Sequence, residues 1–460
     1  MGDVTADRLV SYAAALRYED LGPEVVHQVK RLTIDSIGCG LGAFTSDPVK
    51  AIRDVTASIS SPWSATVLGT REQTTPDMAA FVNGTMVRYL DFNDAYNGAD
   101  TAHPSDNIPV VLAAAEAYGA PGQELVTGIV LAYEVQSAWA DTFGLRVAGP
   151  WDQAVYATIS TPLGAGKVMD LTEEQMREAL RLSMVGGMAM GEARRGMISH
   201  WKAAAVPNAG RNGVFAAMLA ERGLTGPPAI FNGTHGFFAS ITGGEVEMEP
   251  LGHEGGNGRH FRIMDSRVKR FPSGFFSQTA IEGALEARDA LGITGGNDVR
   301  RVHIRTFDSG FHVMAGDPTR WHPDTRETAD HSIPYVVSCA LHFGSLEPSH
   351  FEDEMLGDQS LLDLMQKVEV VKDPECQAAW PEAILNIVTV ETTDGRSHTA
   401  RVPYYQGHFK RPMSDQDLEN KFQRLTSGLL SKHQQHAALQ ALWRLDEVDN
   451  LTEVMELLVV

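Results

Sequence analysis

Cysteine is nearly absent from this chain: Cys39, Cys339 and Cys376 are the only three in 460 residues, far apart and never in CxxC spacing. That scarcity argues against a disulfide framework, fits reduced thiols, and offers no zinc or iron–sulfur ligand set. Positive charge is also short. Lys and Arg number 38 against 59 Asp and Glu, a net charge of −21. So acidic a balance argues against nucleic acid and against an anionic membrane surface as partners. A small anionic substrate stays possible, because a pocket needs only a local cluster of cations. No run of 18 apolar residues exists, so no membrane span is expected. The start, "MGDVTADRLVSYAAAL", lacks a basic region followed by a long apolar one, so no signal peptide and a cytoplasmic location are expected. Ala6 breaks the myristoylation pattern that Gly2 would open.

Common catalytic signatures are missing too. "TPLGAGKVMD" holds Gly166-Lys167, but Thr161 stands where a P-loop needs glycine and Val168 where it needs Ser or Thr. No GxGxxG follows a strand-like run, no HExxH offers a zinc site, and no GxSxG elbow offers a serine nucleophile.

What is present reads as an ordinary globular protein, 43% hydrophobic and 21% charged, and long enough for two domains. The first 240 residues or so have helical spacing. "PEVVHQVKRLTIDSIGCGLGAF", "IPVVLAAAEAYG", "GQELVTGIVLAYEVQSAWADTF" and "TEEQMREALRLSMVGGMAM" each predict a helix, the last opened by Thr172 with Gln175 behind it. Glycine costs about 1 kcal/mol in a helix interior relative to Ala. The glycines in "GCGLGAF", "GAGK" and "GGMAMG" therefore imply close helix-to-helix approach. After the glycine-rich "TGGEVEMEPLGHEGGNGRHF" the texture changes. "RRVHIRTF" alternates as a strand, and "AILNIVTVETTDGRSHTARVPYY" predicts a hairpin with Asp394-Gly395 as a two-residue turn. Residues 268–404 thus read as a smaller α+β domain, and the tail from "SDQDLENKFQRL" returns to helix.

Four polar clusters stand out. "LDFNDAYNGADTAHPSDN" crowds Asp91, Asp94 and His103 between apolar segments; caps and turns explain it as well as catalysis does. "RRGMISHWKAAAVPNAGRNG" places Lys202 beside Trp201 and ahead of an alanine run, a setting that suits an anion partner or a base of lowered pKa, with Arg211 further on. "DSRVKRFPSGFFSQTA" carries Lys269 and Arg270 before an extended Phe-Pro step, which a basic surface turn would explain equally. "TRETADHSIPYV" sets His331 and Tyr335 near the start of an apolar helix that Asp330 would cap. Lysines, histidines and a tyrosine without metal ligands suit a polycarboxylate substrate, with preorganised cations and a proton-transfer group.

In order, "LDFND…HPSDN", "WKAAAVPNAGRNGVFAAMLAERGLTGP", "KRFPSGFFSQTAIEGAL", "TADHSIPYVV" and "GHFKRPMSDQDLENKF" resemble the MmgE/PrpD family, over nearly the entire chain. The resemblance implies a mainly α fold: a large all-helical domain built from both chain ends (residues 1–267 and 405–460) and a smaller α+β lid (268–404). It also implies a homodimer, no metal and no organic cofactor. Carried over position by position, it suggests Asp91, His103, Lys202 and Lys269 as catalytic residues, with Tyr335 as a further donor. Arg88, Gln153, Arg211 and His331 are expected to bind substrate. The chain departs from the family's pattern at Ala95, where a threonine is expected, at Gln153 and Gly274, where decarboxylase members carry histidine, and at Phe276 within "PSGFFSQTA". The expected function is a cofactor-independent lyase that dehydrates a 2-methylcitrate-like hydroxy acid. Decarboxylation of a cis-aconitate-like acid, epimerisation of a dicarboxylate, and binding of a polycarboxylate without chemistry are the alternatives.

Overall fold

Proline at the first helical position opens the helix Pro23–Gly42, where its missing N–H removes nothing. The spacing that predicted this helix buries Val25, Val29, Leu32, Ile37 and Cys39. This computed structural model describes residues 2–145, 149–254, 258 and 260–460. Helices Asn107–Tyr118 and Gly122–Thr142 are buried around most of their circumference, as apolar helices at the centre of a bundle must be. Helices Ala154–Val168 and Trp201–Glu221 pack beside them. Two of the interior glycines mark close approach. A Cβ on Gly40 would stand 2.7 Å from Leu68, and one on Gly164 would stand 3.0 Å from both Ala132 and Val111. Thr172 and Gln175 form the expected reciprocal cap of helix Glu173–Gly186. That helix stops earlier than "GGMAM" suggested: its last residue is Gly186, with Gly187 as its cap.

The α+β part is built on strand Val299–Thr306. It pairs in parallel with Val368–Lys372 and antiparallel with Asn386–Thr392, which pairs antiparallel with Ser397–Val402. Helices Gln278–Leu291 and Ile333–Phe343 carry the residues that join this sheet in its core. The predicted hairpin is present, but its turn is wider than expected. Thr392 donates to Arg396 O (2.8 Å), which leaves Thr393, Asp394 and Gly395 in the loop, with Gly395 at φ 88°. This is a three-residue connection closed by a left-handed glycine, so Asp394-Gly395 is not a two-residue turn.

Among the described residues two large hydrophobic cores result, with a small third cluster of Ala154, Ala157, Ala205, Val206 and Ala209. One draws on residues from Ala6 to Val268 and again from Met413 to Leu458. The other draws on residues from Phe271 to Tyr405 and takes in Ala95 from the early loop. Ala95 also exchanges two backbone hydrogen bonds with Arg267, 2.9 and 2.8 Å, where the chain passes from one core to the other. Among the described residues, no helix is long and apolar enough to cross a membrane.

Candidate active site

Helix Pro76–Tyr89 ends just ahead of the polar stretch, and Asp91 turns the chain with φ 50°, a left-handed conformation that Asp tolerates better than most residues. Around its carboxylate gather groups from distant parts of the chain. Arg88, one turn earlier, donates to Asp91 Oδ1. Lys269 Nζ donates to both Asp91 Oδ1 and Asp91 O, each at 2.9 Å. Lys202 Nζ donates to Asp330 Oδ1 at 2.7 Å and to Oδ2 at 2.8 Å, and lies 3.8 Å from Asp91 Oδ2. His331 Nδ1 touches Asp330 Oδ1, and lies 3.2 Å from Lys202 Nζ and 3.8 Å from Asp91 Oδ2. Asp91, Lys269 and Asp330 are wholly buried, and Arg88 and Lys202 expose 1% each; His331, with 15% of its side chain exposed, opens the cluster to solvent.

Three buried cations thus face the buried carboxylates of Asp91 and Asp330, with Asp106 Oδ2 3.9 Å from Arg88 Nε. Burial alone would raise the Asp91 pKa, but Arg88, Lys202 and Lys269 outweigh it and hold this carboxylate well below its usual range. Asp330 is likewise held down, chiefly by Lys202. Burial pushes Lys269 down to about 8, partly offset by Asp91. Burial and then Lys202 push His331 down to about 4, so its imidazole is neutral near pH 7. One oxygen, Asp91 Oδ2, is buried without a hydrogen bond.

The polar loop fixes His103. Its Nδ1 lies 2.6 Å from the carbonyl of Asp94. A carbonyl only accepts, so Nδ1 carries the proton and Nε2 keeps the lone pair. Burial, then Arg88 and Lys269, keep this imidazole well below its ordinary pKa and therefore neutral. Asp94 in turn accepts from Ser105 N and Tyr133 Oη, both at 3.0 Å, and Asn93 donates to Ser105 Oγ and Asp106 Oδ1, both at 2.9 Å. Burial lifts Asp94 to about 6 and Asp106 to about 7. The stretch from Leu90 to Asn107 is thus a buried, internally bonded loop.

A further clasp comes from the far end of the chain. Lys421, on helix Asp415–Leu425, pairs with Asp35 at 2.6 Å and donates to Phe92 O (2.8 Å) and Lys269 O (3.0 Å). It ties the loop after Asp91 to the segment carrying Lys269.

Of the residues suggested by sequence, Asp91, Lys202, Lys269, Arg88 and His331 come together, and His103 lies close enough to feel the charges of Arg88, Lys269 and Asp91. Gln153 sits beside the loop, its amide oriented to donate to Thr101 O at 2.7 Å and to accept from Arg194 at 3.2 Å. Two residues are not brought in. Arg211 is nine residues beyond Lys202 on one helix, which is half a revolution away; it donates to Asn208 at 3.3 Å and lines a separate cavity of about 420 Å³ with Trp201, Met188 and Met190. Tyr335 is buried in the second core beside Phe351, and its hydroxyl donates to His350 O at 2.5 Å. Asp330 was expected as a helix cap. Ser332 takes that role, accepting from Tyr335 N at 3.1 Å, and leaves Asp330 to Lys202.

Asp91, Asp330 and His331 place three ligand atoms within 4.8 Å of one another, a set suited to a cation. Here the ammonium of Lys202 supplies that cation at 2.7 Å from Asp330.

Three of the departures lie in packed surroundings. A Cβ on Gly274 would meet Met314 Sδ at 2.7 Å, and Gly274 N donates to Asp330 O at 2.8 Å. Phe276 packs edge-on against Phe307 and Trp380, and Ala95 is fully buried.

Its similarity to dehydratase and decarboxylase enzymes makes this chain an enzyme of the lyase type, with titratable groups set among buried cations. The chain belongs to the MmgE/PrpD family: the MmgE/PrpD N-terminal domain matches residues 7–249 and the MmgE/PrpD C-terminal domain residues 271–447. It is 31% identical to 2-methylcitrate dehydratase of Salmonella typhimurium, covering 82% of this chain and 81% of that one. It is 28% identical to 2-methylcitrate dehydratase of Cupriavidus necator (86% and 84%) and 25% identical to cis-aconitate decarboxylase of Mus musculus (96% and 91%).

Proposed function

We propose that this chain removes water from a small hydroxylated di- or tricarboxylate such as 2-methylcitrate, using its own side chains and no cofactor. The observation that carries this reading is the gathering of three buried cations, Arg88, Lys202 and Lys269, beside a neutral imidazole with its lone pair on Nε2. A carboxylated substrate supplies the negative charge that Arg88, Lys202 and Lys269 lack. Removing a proton next to a carboxylate spreads further charge onto its oxygens, and preorganised cations lower that barrier. His103 Nε2 takes the carbon-bound proton. Lys269, lowered to about 8, delivers a proton to the departing hydroxyl, which leaves as water as the double bond forms. Asp91 Oδ2, without a hydrogen bond, is positioned to accept from the substrate hydroxyl beforehand.

We read residues 268–404 as a lid over a helical body formed by residues 1–267 and 405–460, with the site at their junction; the two hydrophobic cores support this division. A homodimer is part of the reading. Trp201 and Phe215 are about half exposed on one face of helix Trp201–Glu221, and Met190, which lines a cavity with Trp201, is 73% exposed; these apolar side chains suit a second copy.

Proton NMR of citrate, 2-methylcitrate, malate and cis-aconitate with the protein in deuterated water tests the reaction. Vinylic product from a hydroxy acid is the expected result. Carbon dioxide release from cis-aconitate, deuterium exchange without elimination, or no change in any acid would each replace the dehydratase reading, with decarboxylation, epimerisation or binding alone.

A further inference from the structure

Arg267 is 4% exposed, yet among the described residues it has no carboxylate partner, and its Nε and Nη1 are buried without hydrogen bonds. Nearby carboxylates are engaged elsewhere: Asp265 lies 2.8 Å from His260, and Asp141 holds Arg262 at 2.7 Å. The guanidinium is one member of a closed circuit of neighbouring side chains. Arg267 Cζ stands 5.0 Å from the Phe409 ring and 5.8 Å from that of Phe275. Ring centroids then follow at 6.3 Å (Phe275–Tyr405), 6.2 Å (Tyr405–His408) and 4.6 Å (His408–Phe409).

Every unpartnered polar atom of this circuit can donate. His408 Nδ1 accepts from Lys410 N at 3.1 Å, so Nε2 carries the proton, and that N–H is buried without a partner. Tyr405 Oη is also buried and unpartnered, as is Ser266 Oγ next to Arg267. Arginine has donors only, a protonated imidazole nitrogen is a donor, and hydroxyls can donate. Stacking on two phenylalanines does not replace the hydration that a buried guanidinium loses. A gathering of donors and one positive charge, whose only acceptors are two hydroxyl oxygens and which holds no carboxylate, is complementary to an anion.

We propose that Arg267, Tyr405 and His408 form a buried site for a small anion, a halide or a single carboxylate group, at the junction of the two cores. Its donors are none of those that hold Asp91. Occupation would tie together the Arg267 segment, which pairs with Ala95, and the turn carrying Tyr405 and His408.

The test is thermal unfolding of the full chain in sodium chloride, bromide or acetate, each against a bulky sulfonate (sodium HEPES) at equal ionic strength. A saturable rise in Tm with chloride and bromide identifies a halide site; a rise with acetate identifies a carboxylate site. Tyr405→Phe should raise the half-saturating concentration about tenfold, and Arg267→Met should abolish the response. Crystals of the unaltered protein soaked in bromide, or grown with acetate, check the location without relying on a variant's folding. Anomalous bromine or acetate density in hydrogen-bonding reach of Arg267 and Tyr405 is expected. Equal Tm in all salts, or ordered water alone at these donors, overturns the proposal.

Discussion

At the residue scale the burial of unlike charges sets what each substitution does. Lys202→Met leaves Asp330 and, in part, Asp91 without their cation. Breaking a buried pair in this way costs roughly 3–5 kcal/mol. Lys202→Met with Asp330→Leu should recover much of that loss in a denaturant titration, while turnover stays abolished because the cation is still gone. A recovery of turnover in the double variant would separate Lys202 from catalysis. Asp106 gives a prediction in pH. Its folded pKa is raised to about 7 by burial, so the folded protein binds a proton that an unfolded carboxylate, near 3.9, gives up earlier. That contribution to stability is present below about pH 4 and is lost as pH rises toward 7. His103 and His331, both depressed, act in the opposite sense, so the comparison must be with a variant. Against Asp106→Asn, the unaltered protein should lose relative stability steadily between about pH 4 and 7. A constant difference across that window would show that Asp106 is ionised throughout. The activity limb follows from Lys269: as a proton donor it works below its pKa, so kcat should fall as pH rises through about 8. A kcat that climbs through pH 9 would assign the proton to another group.

At the scale of elements, the site depends on a helix far from it in sequence. Lys421 on Asp415–Leu425 holds Asp35, the Phe92 carbonyl and the Lys269 carbonyl together. Lys421→Met should destabilise the protein by roughly 3–5 kcal/mol by stranding Asp35. Pairing it with Asp35→Leu should restore stability in the same titration but leave KM raised, because the two backbone carbonyls remain unheld. A normal KM in that double variant would make the clasp purely structural. The elements also show what the sequence could reveal. Helix Pro23–Gly42 and strand Val299–Thr306 were legible because their apolar residues follow one period. The end at Gly186 was hidden because alanine and methionine continue the apolar pattern past the glycines. Arg211 was separable from Lys202 by helical angle alone, since nine residues reverse the face. The pairing of Lys421 with Asp35, and the partnership of Lys202 with Asp330, were not legible: they join segments brought together only by the packed fold, and no local pattern encodes them.

At the scale of the molecule, a chain of net charge −21 gathers Arg88, Lys202 and Lys269 around buried carboxylates at one centre. The overall class, mainly helical with a small α+β part, was legible from the change in period after the glycine-rich stretch. The loop from Leu90 to Asn107 carried Asp91 and His103 in plain view, whereas its depth of burial was not readable from composition. The exposed apolar stripe of Trp201 and Phe215, with Met190 near Trp201, predicts a dimer by sedimentation, and Trp201→Glu with Phe215→Glu should give monomer without lowering Tm, since both side chains are about half exposed. A monomeric unaltered protein would leave that stripe unexplained. The central claim is that the neutral His103 imidazole moves the proton within this cationic centre. Turnover of 2-methylcitrate by His103→Asn, with Tm measured alongside, tests it most directly. The account predicts a fall in kcat of about 10²–10⁴-fold with little change in Tm; a kcat within a few-fold of the unaltered enzyme would contradict it.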